Sequence, residues 1–225
     1  MPPLDSGPSF EAEYHAILDG LGRLRNSTAP PKVFGSRSHG FRLNPPLSEA
    51  EVTAFEAKHC VALPKDYKGF LMHAGNGGAG PAYGVFKLGE IDHGKGHAPW
   101  AQNDGFVGIL SEPFPHTQAW NDLTSKPAKT SGEGEDAYGK RLDEWENKYY
   151  FNSQHVNGAI PVCHRGCALR VWLVITGAES GHVWDDRRAD QQGLRPLETE
   201  TRRRVTFVQW YRSWLDNALK QIGAE

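Results

Sequence analysis

The sequence predicts an α+β fold in a single domain, and three stretches carry that prediction. Residues 47–78 read as two short helices stopped by a glycine turn. Residues 169–185 read as two strands joined by a short turn, and residues 206–219 as a closing amphipathic helix. Strands that follow one another through a hairpin, with helices before and after them, make an α+β pattern rather than an alternating α/β one. The length of 225 residues suits one domain.

Residues 1–8 read as a tail. Phe10, Tyr14, Ile17, Leu18, Leu21 and Leu24 then recur at helical spacing and predict an amphipathic helix. Residues 27–46 read as loop, because Pro30, Pro31, Pro45 and Pro46 block regular structure. Ser48 and Glu51 form a capping box for the next helix, with Leu47 and Val52 placed as its hydrophobic staple. Val52, Phe55 and His59 share one face of it. Leu63-Pro64 restarts the chain, since proline suits the first helical position. Tyr67, Phe70, Leu71 and Ala74 are the apolar stripe of the second helix, and Gly75, Asn76, Gly77 and Gly78 stop it.

Strands are expected at 83–88, 105–110, 158–163, 169–176 and 181–185. In 169–176, Leu169, Val171, Leu173 and Ile175 alternate with Arg170, Trp172, Val174 and Thr176, the period of a sheet. The turn from Gly177 to Gly181 closes a hairpin with the next strand. Before these strands, residues 124–136 are polar and rich in Gly and Pro, so they read as loop. Tyr138, Leu142, Trp145 and Tyr149 then predict another helix. Thr206 and Gln209 make a second capping box, with Val205 and Trp210 as its staple. Phe207, Trp210, Tyr211, Trp214, Leu215, Ala218, Leu219 and Ile222 form the broad apolar face of the last helix.

A net charge of −2 gives no global field toward nucleic acid or an anionic membrane. The one dense basic run, Arg202 to Arg204, reads as a solvated loop before the last helix. No apolar run approaches the roughly 20 residues needed to cross a bilayer, and the first residues lack the pattern of a secretory signal. Three cysteines give no disulfide framework and fit the reducing cytoplasm.

Cys163, His164 and Cys167 lie close in sequence, but structural zinc takes four ligands and no second pair is present. Buried, inert thiols are the expectation, with neither metal nor disulfide. Asp185 and Asp186 could ligate a metal or form an acid–base pair; the expectation is a strand-ending turn beside Arg187 and Arg188. Gly75, Gly77, Gly78 and Gly80 follow a helix and lack the Lys-Ser/Thr of a phosphate-binding loop. His93 and His97 sit in a glycine-rich loop that could bind a metal adventitiously; a mobile loop is the expectation.

Taken in order, Glu56, Leu63, Pro64, Lys65, Asp66, Tyr67, Phe70, Leu71, Asn76, Gly77 and Gly78 resemble the signature of the SUKH superfamily. That superfamily includes a fungal cell-wall synthesis regulator and many bacterial toxin-immunity proteins. YGVFKL at 83–88, GAIPV at 158–162, the hairpin at 169–186 and the helix at 206–219 continue the resemblance. It implies one domain at 47–222, a mostly antiparallel sheet packed against several helices, with a loop-rich insert at about 89–157. Residues 1–46 form an N-terminal helix and proline-rich lead-in to it.

The resemblance further implies a binding protein, foremost an immunity protein that neutralises a cognate toxin without catalysis or cofactor. A regulatory or scaffold interaction module is the second reading, and a metal-dependent enzyme the third. With helix and strand stripes committed to the core, the insert is the candidate partner surface. It carries Trp100, Phe106, Phe114 and Trp120 among polar residues, the composition of interface hot spots. Glu133, Glu135 and Asp136 add acidic steering toward a basic toxin such as a nuclease. The competing reading is that these aromatics close over an extension of the core. Oligomeric state is open. Trp214→Ala is expected to cost about 3–5 kcal/mol in denaturant unfolding, the scale of aromatic truncation in a packed core; unchanged unfolding would place this helix face at the surface.

Overall fold

Ser48 caps the fold's central helical pair in the predicted way: its hydroxyl accepts from the Glu51 amide while the Glu51 carboxylate accepts from the Ser48 amide at 2.8 Å. A computed structural model of the chain describes residues 10–28, 31–89 and 107–223. In chain order the helices are α1 (Phe10–Asn26), α2 (Ser36–His39), α3 (Glu49–His59), α4 (Lys65–Gly69), α5 (Glu135–Trp145) and α6 (Phe207–Lys220). The chain at Phe70–Ala74 continues α4 as a π-turn, and Glu146–Tyr150 does the same for α5. Thr206 and Gln209 form the second capping box at the start of α6.

Strands β1 (Ala159–Gly166), β2 (Leu169–Val174), β3 (Val183–Asp186) and β4 (Leu194–Pro196) make one antiparallel sheet in the order β1-β2-β3-β4. The α+β reading therefore holds. The register sets Ile160 beside Leu173 and Leu173 beside Val183, with Trp172 beside Trp184 on the opposite face. A register shift between Pro161 and Cys163 lets the consecutive Val162 and Cys163 both enter the larger core.

That larger core packs the Ile160–Leu173–Val183 face against α1, α3, α4 and α6. Tyr14, Ile17, Leu21 and Leu24 of α1 join Tyr67, Phe70 and Leu71, together with Phe207, Tyr211 and Leu215 of α6. The Tyr211 hydroxyl donates to the Ala79 carbonyl at 2.8 Å, and the Tyr14 hydroxyl to the Asp66 carbonyl at 2.8 Å. Leu18, placed on the α1 stripe by spacing, is exposed. Trp214 is half-buried at the edge of the core, where it packs edge-on to Tyr211 and His39 and stacked on Phe41. Its truncation therefore belongs at the low end of the expected range, about 3 kcal/mol.

The opposite face carries a second core of Phe114, Val156, Ala159, Trp172, Val174, Trp184 and Leu194. Part of the insert thus forms a second layer on the sheet. Phe114 meets Trp184 edge-to-face at 4.8 Å. This corrects the reading of Phe114 as an exposed contact residue: only 5% of it is exposed, because the indole of Trp184 needs an apolar cover.

Two expected strands are reduced. Residues 83–88 keep a single bridge residue, Val85, to Gly78 and Cys163. Gly84 explains the interruption: its φ is 104°, and a Cβ there would lie 2.3 Å from the Gly78 carbonyl oxygen. Of the strand expected at 105–110, residues 105 and 106 lie outside the described residues, 107–109 are irregular and Leu110 begins a turn. Conversely β4, three residues long and ending in proline, escaped the sequence reading.

Asp186 and Arg188 close the insert side of the sheet. Both are nearly inaccessible, and the guanidinium pairs with both carboxylate oxygens at 2.9 and 2.7 Å. The Trp172 indole N–H donates to Asp186 at 3.0 Å, and Arg188 also donates to the Tyr150 carbonyl at 3.2 Å. Burial alone would raise the Asp186 carboxyl, but the Arg188 charge and these hydrogen bonds outweigh it and hold it below the usual carboxylate range. Asp186→Asn leaves the buried guanidinium uncompensated and is expected to cost about 3–5 kcal/mol in urea unfolding. A loss under about 1 kcal/mol would show that the pair is not what holds this end of the sheet.

Candidate functional site

The carboxylates and the amide of the signature are spent inside the fold, whereas Lys65 is exposed. Glu56 accepts from the Leu63 amide at 2.8 Å and from the Lys68 ammonium at 2.9 Å, tying α3 to the start of α4. Asp66 accepts from the amides of Tyr67 at 2.8 Å and Val208 at 3.2 Å, linking α4 to α6. Asn76 accepts from the Leu88 amide at 2.8 Å. Gly77 has φ 72°, and a Cβ there would lie 2.6 Å from the backbone of Phe86. The signature builds a scaffold, so a partner surface must be sought in what the scaffold presents.

Large apolar side chains exposed to solvent are few among the described residues, and two of them touch. Phe34 is 63% exposed and Tyr83 44%, and their rings meet edge-to-face at 5.2 Å. Glycine brings them together. Gly35 has φ 76°, and a Cβ there would lie 2.0 Å from the Ala82 carbonyl oxygen. Only a residue without a side chain lets the 33–35 loop close on the 81–84 turn. Tyr83 also stacks on His164 at 5.7 Å, and its amide reaches the His164 carbonyl at 3.5 Å, which anchors the turn to β1.

Beside this pair lies a groove of about 460 Å³. Its lining includes Phe34, Pro81, Ala82, Leu169, Leu197 and Trp210, with Val171 and Cys163 from the sheet. Cys163 is fully buried and its thiol donates to the Pro81 carbonyl at 3.2 Å. Burial pushes that thiol up to about 12, so it is a packing group, not a nucleophile. Arg165 is the charged residue among the described lining. Its guanidinium meets Asp185 at 2.7 Å, and Arg195 approaches the other carboxylate oxygen at 3.7 Å.

A larger depression between α1 and α6, about 560 Å³, mixes Asp19, Arg23, Arg212, Asp216 and Lys220. It presents both signs of charge and no exposed aromatic. The Phe34–Tyr83 groove combines aromatic anchors, a tryptophan and an arginine, the residue types that dominate binding energy at interfaces.

The residues selected from sequence are dispersed. Trp100 and Phe106 lie outside the described residues. Phe114 is core. Trp120 is half-buried over the second core, its ring stacked on His155 at 3.9 Å, with His116 at 5.2 Å and Tyr150 at 5.6 Å. Its backbone pairs with Leu194, so it also covers the edge of β4. Glu133 is locked onto Arg141 by two hydrogen bonds of 2.8 and 2.7 Å. Glu135 pairs with Lys129, and Asp136 stands exposed in the first turn of α5. Two of the three acidic charges are matched at contact distance, which weakens them as long-range steering groups.

Phe34 and Tyr83 were missed because one sits in a loop without periodicity and the other at the head of an expected strand. An aromatic beside glycine in a proline-rich loop was the available signal. His164 and Cys167 are apart from any ligand set: among the described residues no group of three or more His, Cys, Asp or Glu side chains could hold a metal ion. Cys60, Cys163 and Cys167 are all free thiols. Of the basic run 202–204, Arg204 bridges Glu179 and Glu198.

The His116 stack has a pH consequence. Burial first, then the charges of His155 and Arg188, push its imidazole down to about 4. His155 is lowered as well, by burial first; Asp122 and Arg188 are the charged groups that act on it. An imidazole held neutral in the fold, but titrating near 6.5 when unfolded, makes the unfolded chain bind more protons between those values. Stability is present above about pH 6.5 and falls as pH drops toward 4. With partial exposure screening the effect, His116 accounts for on the order of 1 kcal/mol of that loss. Urea midpoints near pH 7 and pH 5 should therefore lie closer together in His116→Phe than in wild type; an equal separation would refute the assignment.

With this geometry in view, the chain matches the SMI1/KNR4 family (SUKH-1) over residues 46–186. No curated protein and no solved structure matched it. The match spans more than half of the sequence and runs from the loop before α3 to the last residue of β3. It supports a binding role in general, of toxin-immunity or regulatory type. No helix among the described residues is long and apolar enough to cross a membrane. By this match and by the fold that carries it, the chain belongs to the SMI1/KNR4 family (SUKH-1).

Proposed function

We propose that this protein is an immunity protein that neutralises a cognate toxin in the cytoplasm by direct binding, with no catalytic group of its own. The observation that carries this reading is the exposed Phe34–Tyr83 pair beside a preformed groove that mixes apolar side chains with polar surface. Inhibition by binding needs a rigid, complementary surface that can cover a toxin's working residues. Here the rigid part is the signature scaffold, and the surface is two loops that glycine lets pack closely upon it. Because backbone hydrogen bonds from Ser36 to Val33, from Gly84 to Pro81 and from Tyr83 to His164 already order the loops in the free protein, less ordering entropy remains to be lost on binding. Family membership supports a binding role, and the immunity assignment is the more specific reading built on it.

Co-expression with the protein encoded by the adjacent gene, scoring growth rescue and complex formation, tests this. Phe34→Ala and Tyr83→Ala are each expected to weaken the complex by about 2 kcal/mol or more, as hot-spot truncations do. Unfolding of Phe34→Ala should stay within about 0.5 kcal/mol of wild type, because that ring is mostly solvent-exposed; Tyr83→Ala, which also loses the stack on His164, should cost about 1 kcal/mol. Undiminished neutralisation by the double variant would move the partner surface elsewhere. Failure of wild type to rescue growth against any neighbouring toxin would remove the immunity reading itself.

A further inference from the structure

The charge pattern at the groove identifies what fits it. Asp185 has only 6% of its side chain exposed, yet it faces two guanidinium groups, Arg165 and Arg195, which are 45% and 41% exposed. Among the described residues, one buried carboxylate against two half-exposed cations leaves one positive charge in excess within this trio. Arg165 is the member of this trio that lines the groove, and no carboxylate is found in the described lining. Asp185 holds the guanidinium of Arg165 at 2.7 Å, so the fork is positioned before any ligand arrives. Around it the walls are apolar or aromatic: Phe34, Ala82, Leu169, Leu197 and Trp210.

We propose that the groove takes an acidic segment of a protein partner, with an apolar side chain set among Phe34, Leu197 and Trp210 and a neighbouring carboxylate on Arg165. This rests on the binding role argued above and specifies its chemistry. A planar guanidinium with open N–H positions recognises a carboxylate by charge-assisted hydrogen bonds, which are stronger than neutral ones. The apolar walls demand a side chain that water alone does not replace, so a free anion would leave most of the groove unused. A single strand of nucleic acid is disfavoured: it needs a track of cations along its backbone, and the groove offers one in a chain of net charge −2.

Random dodecapeptides displayed on phage, selected on the immobilised full chain with counter-selection on a Phe34→Ser/Tyr83→Ser double variant, test the proposal. The expected winners place Asp or Glu within a few residues of an aliphatic or aromatic residue. Synthetic copies of them should change the Trp210 indole signal. They should weaken about tenfold in Arg165→Gln and weaken further with added salt. Arg195 remains to face Asp185 in that variant; if Arg165→Gln nonetheless fails to fold, Arg165→Lys, which keeps the charge and loses the fork, should weaken the same peptides while retaining their salt dependence.

Basic or neutral winners, winners indifferent to Arg165, or no groove-dependent winner at all would each overturn the proposal. Binding of a fluorescent oligouridine at the groove in place of acidic peptides would overturn it in favour of nucleic acid. The outcome is separable from the immunity reading. Peptide preference reports on the groove alone, whereas growth rescue by wild type reports on immunity wherever the toxin docks.

Discussion

A four-stranded sheet with apolar side chains on both faces must be covered twice, and the rest of this structure depends on that requirement. On one face, Ile160, Leu173 and Val183 call for the layer made by α1, α3, α4 and α6. On the other, Trp172 and Trp184 are fully buried, and two indoles of that size would leave a large apolar area wet without a second layer. Phe114, Val156 and the half-buried Trp120 supply it. Asp186 and Arg188 then seal the open end of this layer. The pair is costly to desolvate, but every oxygen of the carboxylate is engaged, by Trp172 and by the Arg188 fork, and such full satisfaction is what makes a buried pair tolerable.

Covering both faces decides where recognition can occur. Glu56, Asp66 and Asn76 hold neighbouring segments together, and Gly77 and Gly78 admit close backbone approach. None of these groups is free to meet a partner. The strand edges are also occupied in part, by Val85 along β1 and by Trp120 along β4, which limits strand addition as a mode of binding. Among the described residues, the scaffold leaves outside a pair of loops that meet at Gly35 and present Phe34 and Tyr83 beside a groove. A family that keeps its scaffold and varies its partners would need such a division, with signature residues inside and recognition residues in loops.

Much of the fold was legible in the sequence wherever the determinant is local. Both capping boxes formed, since a side chain three residues along is always within reach of the cap amide. The stripe of Tyr67, Phe70, Leu71 and Ala74 is buried as its spacing requires. The hairpin of β2 and β3 likewise follows from alternation and a glycine turn. The failures share a different cause. Phe114 resembles an exposed loop aromatic until Trp184, seventy positions away, is placed beside it. Glu133 resembles a free charge until α5 brings Arg141 to it. β4 is too short to show a period, and the 83–88 strand is cut by a glycine whose need arises from Gly78. Of the candidate site, the binding class came from the signature, whereas the groove came from contacts between loops that no periodicity encodes.

Hydrogen exchange of the protein alone and in complex with whichever adjacent-gene product it binds on co-expression tests the central claim most directly, that recognition is carried by the Phe34–Tyr83 loops on an unchanging scaffold. The account predicts new protection confined to residues 33–36, 81–86 and the 163–171 segment, where β1 leads into β2, with the rest of the sheet and the signature helices unchanged. Protection concentrated instead in residues 107–136, with none at 33–36 or 81–86, would contradict it.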